Sequence, residues 1–274
     1  MNTTADCSSD AIPVAQDTGL SEPEQREITR LCARTALLLM QHGAESAQVE
    51  SMARRLGIAL GIDQVEIALM ASAIVITTLS DQHCITTARR NEDHGINMHV
   101  VIEVQRAVLD VEAGALDREA FRARLDAVVP KRYPRRLVAP AVGLACACFA
   151  RLAGADGIGC LVALIASSTA MVVRLHLAQR HFNPLVSFFA TAFVATSIAA
   201  QGLTFGIGTT PKVAMAACVL MLVPGFPLIN AVADMVKGYA NTGIARLTIA
   251  VLLSASTCGG ILLASSVWHV WSWL

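Results

Sequence analysis

Acidic residues are nearly absent from the second half of this 274-residue chain. Of its 21 Asp and Glu residues, only Asp156 and Asp234 lie beyond residue 133, against 8 of its 21 Lys and Arg residues. Long apolar runs fill the same region, and the whole chain is 54% hydrophobic with a mean hydropathy of +0.55. A soluble core does not require so apolar a composition, so residues 134–274 are predicted to form a transmembrane domain.

Motifs of common enzyme classes are also missing. The sequence has no G-x-S-x-G nucleophile elbow, no CxxC pair and no glycine-rich phosphate loop. An intramembrane aspartyl protease needs two facing carboxylates, and the apolar helices supply only Asp234, because Asp156 falls in a short loop. We therefore expect no catalytic residue. A membrane-anchored hydrolase or a sensor that uses the amino-terminal part remains an alternative.

Four histidines in the first half raise the question of a metal site. None of them is paired at the i, i+4 spacing that places two ligands on one helix face, so we expect no metal and no cofactor. These residues are His42, His83, His94 and His99. Residues 1–133 are net acidic, with 19 acidic and 13 basic residues, which argues against a nucleic-acid partner.

The amino-terminal part divides into a tail and a folded domain. Residues 1–22 have neither a basic start nor an apolar run, so they are predicted to be a disordered tail rather than a signal peptide. Residues 23–133 are predicted to form a cytoplasmic α+β domain in the order helix, helix, three short strands, helix, helix. The helices are expected at about 24–41, 45–60 and 97–112 and after Asp117, a predicted N-cap, and the strands at 64–69, 73–79 and 84–90.

Five apolar stretches predict five transmembrane helices, so the expected fold is an α-helical polytopic membrane protein with that cytoplasmic domain. The spans are predicted at about 137–154, 157–175, 184–206, 213–236 and 247–267. Arg151 and Arg174 make the first two marginal against the roughly 20 residues that a spanning helix needs, although such side chains can snorkel to the interface. One buried helical hairpin in place of these two spans remains an alternative.

The basic residues predict the orientation, because short cytoplasmic loops are enriched in Lys and Arg. With the amino-terminal domain in the cytoplasm, only Arg151 and Lys212 lie outside, and five spans place the carboxyl terminus in the periplasm. The basic residues then on the inside are Lys131, Arg132, Arg135, Arg136, Arg174, Arg180, Lys237 and Arg246.

The fourth predicted span contains Pro224-Gly225-Phe226-Pro227, which is expected to break the helix and leave the carbonyls of Leu220 and Val223 without helical partners. Broken helices at membrane depth commonly form solute sites in transporters. Asn230 and Asp234 follow on one helix face and are expected to face the same cavity. An intramembrane carboxylate is a functional candidate, yet Asp234 could instead be the ion-pair partner of Lys237 near the inner interface.

Five segments give this sequence a family resemblance. The segment Leu222 to Asp234 (LVPGFPLINAVAD), with Gly238 and Asn241 to Arg246, resembles the signature of the bacterial threonine/serine exporter (ThrE-like) family. The likeness extends upstream to four more segments, which are Gln41 to Ser46 (QHGAES), Arg89 to His99 (RRNEDHGINMH), Pro130 to Pro134 and Ala178 to His181. It covers about residues 24–267, essentially all but the tail.

The resemblance implies an exporter of a small polar metabolite in the bacterial inner membrane. Full-length members have about ten spans, so a chain with five looks like a half-transporter that needs a separate, YjjB-like small membrane protein. The half-length members export succinate and related dicarboxylates, which is the expected substrate class here. Export of threonine and serine is the alternative, and a higher oligomer is possible.

A carboxylate substrate also has a physical rationale. The helix that restarts near Pro227 would direct free N–H groups and the positive end of its dipole towards the break. A second carboxylate could bind Arg174 or Lys237, and burial favours a protonated Asp234 that would carry a proton in exchange. The expected substrate path therefore comprises Pro224, Gly225, Pro227, Asn230, Asp234, Lys237, Arg174, Arg246, Ser168 and Thr169, although helix packing explains such hydroxyl residues equally well.

Overall fold

The structure is a computed structural model that describes residues 20–270, with the exception of residues 82 and 93. Most of the tail predicted at 1–22 lies outside the described residues. Glu22 already begins the first helix, and the amide and the hydroxyl of Ser21, just before it, both donate to the Glu24 carboxylate. The first element therefore begins at the last residue of the predicted tail, one residue before the predicted start of the domain.

The amino-terminal unit follows the predicted order of elements. The helices are α1 (Glu22–Gln41), α2 (Ser46–Ala59), α3 (Met98–Glu112) and α4 (Arg118–Asp126), and the strands are β1 (Gln64–Leu69), β2 (Ala73–Ser80) and β3 (His83–Arg90). The strands form one antiparallel sheet in the order β1-β2-β3. The Asp117 side chain accepts a hydrogen bond from the amide of Ala120, which confirms the predicted cap of α4.

Helices α1, α2 and α3 and the inner face of the sheet enclose the core of this unit. Alternation along β2 buries Ile74, Ile76, Thr78 and Ser80, as the period of a strand requires. Buried Gln25 of α1 donates from Nε2 to the carbonyls of Thr78 and His83, both at 3.1 Å. These bonds fix α1 across two strands and satisfy a buried amide that would otherwise cost stability.

Six longer or broken helices form the second half. They are α5 (Arg135–Leu152), α6 (Gly157–Gln179), α7 (Pro184–Thr204), α8 (Pro211–Val219), α9 (Gly225–Val236) and α10 (Ala240–Val267). Small residues allow close packing, since a Cβ added at Gly260 of α10 would lie 2.4 Å from the carbonyl oxygen of Phe189 in α7. An added Cβ at Gly243 would lie 2.9 Å from the carbonyl oxygen of Ala231, so α9 and α10 also approach closely.

Three of these helices, α6, α7 and α10, are long and apolar enough to cross a membrane. The bent pair of residues 211–222 and 225–236 makes a fourth span if it is counted as one. Among the described residues the count is thus three or four, and the predicted five is not confirmed. Helix α5 has 18 residues, about 27 Å at 1.5 Å per residue, and they include Arg135, Arg136 and Arg151.

Asp156 joins two loops at one end of these helices. Its carboxylate accepts from the amide of Gly159 at 3.0 Å and thereby caps α6. It also accepts from the amide of Thr209 at 3.1 Å and from Thr210 Oγ1 at 2.6 Å, in the loop between α7 and α8. These bonds lower the pKa of Asp156, the Thr210 hydroxyl contributing most.

Candidate functional site

The helix breaks where the Pro-Gly-Phe-Pro segment predicted it. After α8 the chain makes a short 3-10 turn at Leu220–Leu222, and α9 begins at Gly225 with a bend of 57° from the preceding helical segment. The carbonyls of Leu220 and Val223 lack their helical partners, as expected, because residues 224 and 227 are prolines, but both carbonyls accept other bonds. The Leu220 carbonyl accepts from the Val223 amide at 3.2 Å, and the Val223 carbonyl accepts from the Gly225 amide at 2.8 Å.

The start of α9 offers few amide donors to an anion. The Gly225 amide is already used within the break, and Pro227, in the first turn, has no N–H. Among the first three residues of α9, only Phe226 therefore has a backbone N–H that could bind an anion. The predicted carboxylate site at the helix start therefore loses most of its physical basis.

Asp234 is fully buried and bonded to a distant part of the chain. One carboxylate oxygen, Oδ1, accepts from the backbone amide of Ser46 at 2.9 Å, and Oδ2 accepts from Ser46 Oγ at 2.9 Å. Ser46 is the first residue of α2, whose own N-cap residue makes no side-chain cap bond. Asp234 thus caps α2 from 188 positions along the chain.

The cation that neutralises Asp234 is Arg246 of α10, at 2.7 Å from Nη1 to Oδ2. Lys237, the partner proposed from sequence spacing, instead pairs with Glu45 at 2.5 Å. That alternative for Asp234 is therefore wrong. The reason is the turn after α9, which brings α10 back against Asp234 and leaves Lys237 at the end of α9, facing the amino-terminal unit.

Residues 43–46, here called the 43–46 loop, are held by several further bonds. Asn230 Nδ2 donates to the carbonyl of Gly43 at 2.9 Å, and Arg246 Nη2 donates to the carbonyl of Ala44 at 2.9 Å. Four residues of one loop therefore contact Asn230, Asp234, Lys237 and Arg246. Nearby, the Tyr239 hydroxyl donates to Glu50 Oε2 at 2.5 Å. Burial of the phenol is the larger cause, and the Glu50 carboxylate the smaller one, of a pKa of Tyr239 that is raised to about 12.

A cleft of about 140 Å³ lies beside the 43–46 loop, between the broken helix and the amino-terminal unit. Three predicted site residues, Pro227, Asn230 and Arg246, share its wall, and buried Asp234 lies behind Arg246. The rest of the wall is mainly apolar. It consists of Met40, Gly43, Ala71, Asn91, Ile96, Phe226, Thr242, Ala245 and Ile249.

Three predicted path residues lie on α6, away from this cleft. Arg174 places its guanidinium 4.3 Å from the ring centroid of Phe188. Ser168 packs against Gly143 of α5, where an added Cβ would come within 1.9 Å of its Oγ, and Thr169 is exposed. Pro224 and Gly225 form the break itself without lining the cleft. A role for these five residues in a substrate path stays a prediction.

Sequence reasoning did not select the residues that face Asp234 from the amino-terminal unit. Gly43 and Ala44 lie between the helices predicted at 24–41 and 45–60, Ser46 lies at the start of the second of these, and no periodicity marks the three residues. The family motifs held a partial signal, because three of the five segments, residues 41–46, 89–99 and 222–246, contribute to the wall of the cleft or to the loop behind it. Two of them are also joined directly, because the His94 amide donates to the Gln41 carbonyl at 3.2 Å.

A cleft beside a broken, membrane-length helix is the arrangement that solute transporters use, and the family comparison agrees. Residues 30–268 match the family model ThrE, described as "Putative threonine/serine exporter". The chain therefore belongs to the ThrE family of membrane transporters.

Its relatives differ in length and in the substrate that their names give. The chain is 51% identical over 254 residues to "Probable succinate transporter subunit YjjP" of Escherichia coli K12, covering 92% of this chain and 98% of that one. The protein of the same name from Klebsiella aerogenes is 51% identical over 251 residues, covering 91% and 97%. The "Probable threonine/serine exporter" of Mycobacterium tuberculosis is 26% identical over 269 residues, which span 93% of this chain but 50% of that protein. No solved structure matches the chain.

Proposed function

We propose that this chain is one subunit of an inner-membrane exporter of small dicarboxylates, with succinate as the first candidate. The observation that carries the proposal is the cleft at the helix break, where Arg246, whose guanidinium bonds Asp234, is one residue of a mostly apolar wall. A guanidinium can bind a carboxylate through two parallel hydrogen bonds, and the apolar residues beside it suit the short carbon chain of such a substrate. The name of the 51%-identical relatives supports the same substrate.

A second subunit is part of this proposal. The relatives at 51% identity are named as subunits, and this chain aligns with half the length of the mycobacterial exporter. We infer that a YjjB-like small membrane protein supplies the missing half and the facing wall of the cleft. The chain by itself is then half of a transporter, which binds and gates the substrate and catalyses no chemical reaction.

The topology we propose has five spans. Helix α5 becomes the fifth if Arg135 and Arg136 stay at one interface and Arg151 reaches the other, because the apolar stretch between them needs little adjustment to the bilayer. Residues 23–133 then form a cytoplasmic domain and residues 134–274 the transmembrane domain, with the carboxyl terminus in the periplasm. In this arrangement the cleft opens near the cytoplasmic side.

Export of threonine or serine is the second candidate. It is favoured by the name of the mycobacterial relative and by one feature of the site, since Arg246 already faces the carboxylate of Asp234. A zwitterionic amino acid adds no net charge beside that ion pair, whereas a dicarboxylate adds negative charge.

Efflux from intact cells tests these candidates. Cells that lack their own exporters are loaded with labelled succinate or threonine and carry this chain alone, the small partner alone, or both. We expect succinate efflux only with both proteins, and a loss of efflux in Arg246→Gln. Succinate efflux by this chain alone would exclude the two-subunit proposal, and efflux of threonine without succinate would favour the second candidate.

A further inference from the structure

Arg246 has a divided role in the site. Its Nη1 donates to Asp234 and its Nη2 to the carbonyl of Ala44, while the side chain keeps 17% of its surface exposed. The residue also lines the cleft. Arg246 therefore bonds a buried carboxylate and also borders the expected place of a substrate carboxylate.

We propose that a carboxylate bound in the cleft displaces Asp234 from Arg246 and thereby releases the 43–46 loop. The inference rests on the proposed function, because it takes a carboxylate as the substrate. Asp234 is in this view an internal competitor that occupies the cation while the cleft is empty. Arg246 then has a carboxylate partner both before and after substrate binds, so its positive charge is neutralised in both states.

The release follows from the burial of Asp234. A buried carboxylate that loses its cation is costly, because the remaining hydrogen bonds do not replace the lost Coulomb attraction. Asp234 is 0% exposed, so it can reach water only by leaving its place against Ser46. Two bonds to Ser46 are then lost, and the bond from Arg246 to Ala44 is lost when the guanidinium turns towards the cleft.

Loss of these bonds loosens the contact between the 43–46 loop and the broken helix. The remaining bond of the loop to a cleft residue is that of Asn230 to Gly43, and the Lys237–Glu45 pair is partly exposed and correspondingly weaker. Substrate binding would thus be coupled to movement of α9 relative to the 43–46 loop. A neutral molecule of the same size has no means of displacing Asp234 and is expected to leave the loop in place.

Hydrogen exchange measures this release in the unmodified protein. The full chain, assembled with its partner in lipid nanodiscs, is labelled with and without succinate, and with succinamide as a neutral molecule of similar shape. We expect the Ser46 amide to exchange at least about tenfold faster with succinate and to be unchanged with succinamide. Bound succinate with unchanged or slower exchange at Ser46 overturns the inference.

Asp234→Asn provides an independent test, with Asp156→Asn as the matched control carboxylate. Removing the internal competitor is expected to tighten succinate binding by about tenfold, since a competing interaction of roughly 1.4 kcal/mol corresponds to that factor. Asp156→Asn should leave the affinity unchanged. Weaker binding in Asp234→Asn, or equal tightening in both variants, contradicts displacement. If the wild-type protein neither binds nor exports succinate, the proposed function is wrong. If succinate binds and exchange at Ser46 does not become faster, only the displacement of Asp234 is wrong.

Discussion

The two acidic residues of the second half occupy comparable positions with different consequences. Asp156 and Asp234 each accept a backbone amide at the start of a helix, and each also accepts a hydroxyl hydrogen bond. Asp156 caps the helix that follows it directly, in a partly exposed loop. Asp234 is buried, caps a helix formed far earlier in the chain and needs a cation beside it.

The difference shows how the surroundings of a carboxylate decide what it can do. Asp156 is already partly exposed, and its bonds only join two neighbouring loops. Asp234 is fully buried and depends on Arg246 and Ser46 together, so a change at either partner alters the whole group of bonds. Only the second arrangement connects the amino-terminal unit with the broken helix, and four substitutions test how far the contrast extends.

The largest effect is expected for Asp234→Ala. Removal of the carboxylate leaves Arg246 without its counter-ion and the start of α2 without its cap, which costs roughly 3–5 kcal/mol for a buried pair. Thermal unfolding of the purified protein measures this loss, and succinate efflux should disappear with it. A melting temperature equal to that of the wild type would show that the ion pair contributes no stability.

A smaller loss is expected for Gly243→Ala, which alters the packing behind Asp234 without touching a charge. The new Cβ would lie 2.6 Å from Met235 Cγ and 2.9 Å from the carbonyl oxygen of Ala231, so α9 and α10 must move apart. Overpacking of this kind costs about 1–3 kcal/mol. Gly259→Ala is the control, because its nearest atom, on the ring of Phe189, is 3.3 Å away. Equal melting temperatures for the two variants would show that the close approach of α9 and α10 is not important.

Asp156→Ala should reduce stability less than half as much as Asp234→Ala and leave efflux intact. The carboxylate has a lowered pKa because hydrogen bonds from Thr210, Thr209 and Gly159 favour its ionised form. Its stabilising contribution is therefore present above the unfolded pKa of a carboxyl group and is lost as the pH falls through the lowered value. Melting curves of wild type and Asp156→Ala should converge in acid. If Asp156→Ala is as unstable as Asp234→Ala, the two carboxylates do not differ in their contribution to stability.

The smallest effect is expected for Tyr239→Phe, which removes only the hydrogen bond to Glu50. The pKa of Tyr239 is raised to about 12, so the neutral phenol is the form that the folded protein stabilises. Its contribution is complete below the usual pKa of about 10 and is lost as the pH rises towards about 12. The difference in melting temperature between wild type and Tyr239→Phe should shrink over that range. A difference that is constant up to pH 12 contradicts this assignment.

Sequence patterns were sufficient for most elements but not for the assembly of the site. Periodicity located the strands and the first helices, and the Pro-Gly-Phe-Pro segment located the break, because these depend on local backbone chemistry. The partner of Asp234 could not be found in the same way. Spacing on one helix suggested Lys237, whereas Arg246 reaches Asp234 only through the tight turn at 237–239 and Ser46 only through tertiary folding.

The capping of α2 by Asp234 also affects how the protein is made. Residues 46 and 234 are separated by 188 positions, so α2 leaves the ribosome roughly 10 to 40 s before its cap at about 5–20 residues per second. During that interval the start of α2 has no carboxylate, and the cap arrives only after α5 to α9 have been synthesised. The amino-terminal unit therefore gains the cap of α2 only after α9 has folded and packed against it.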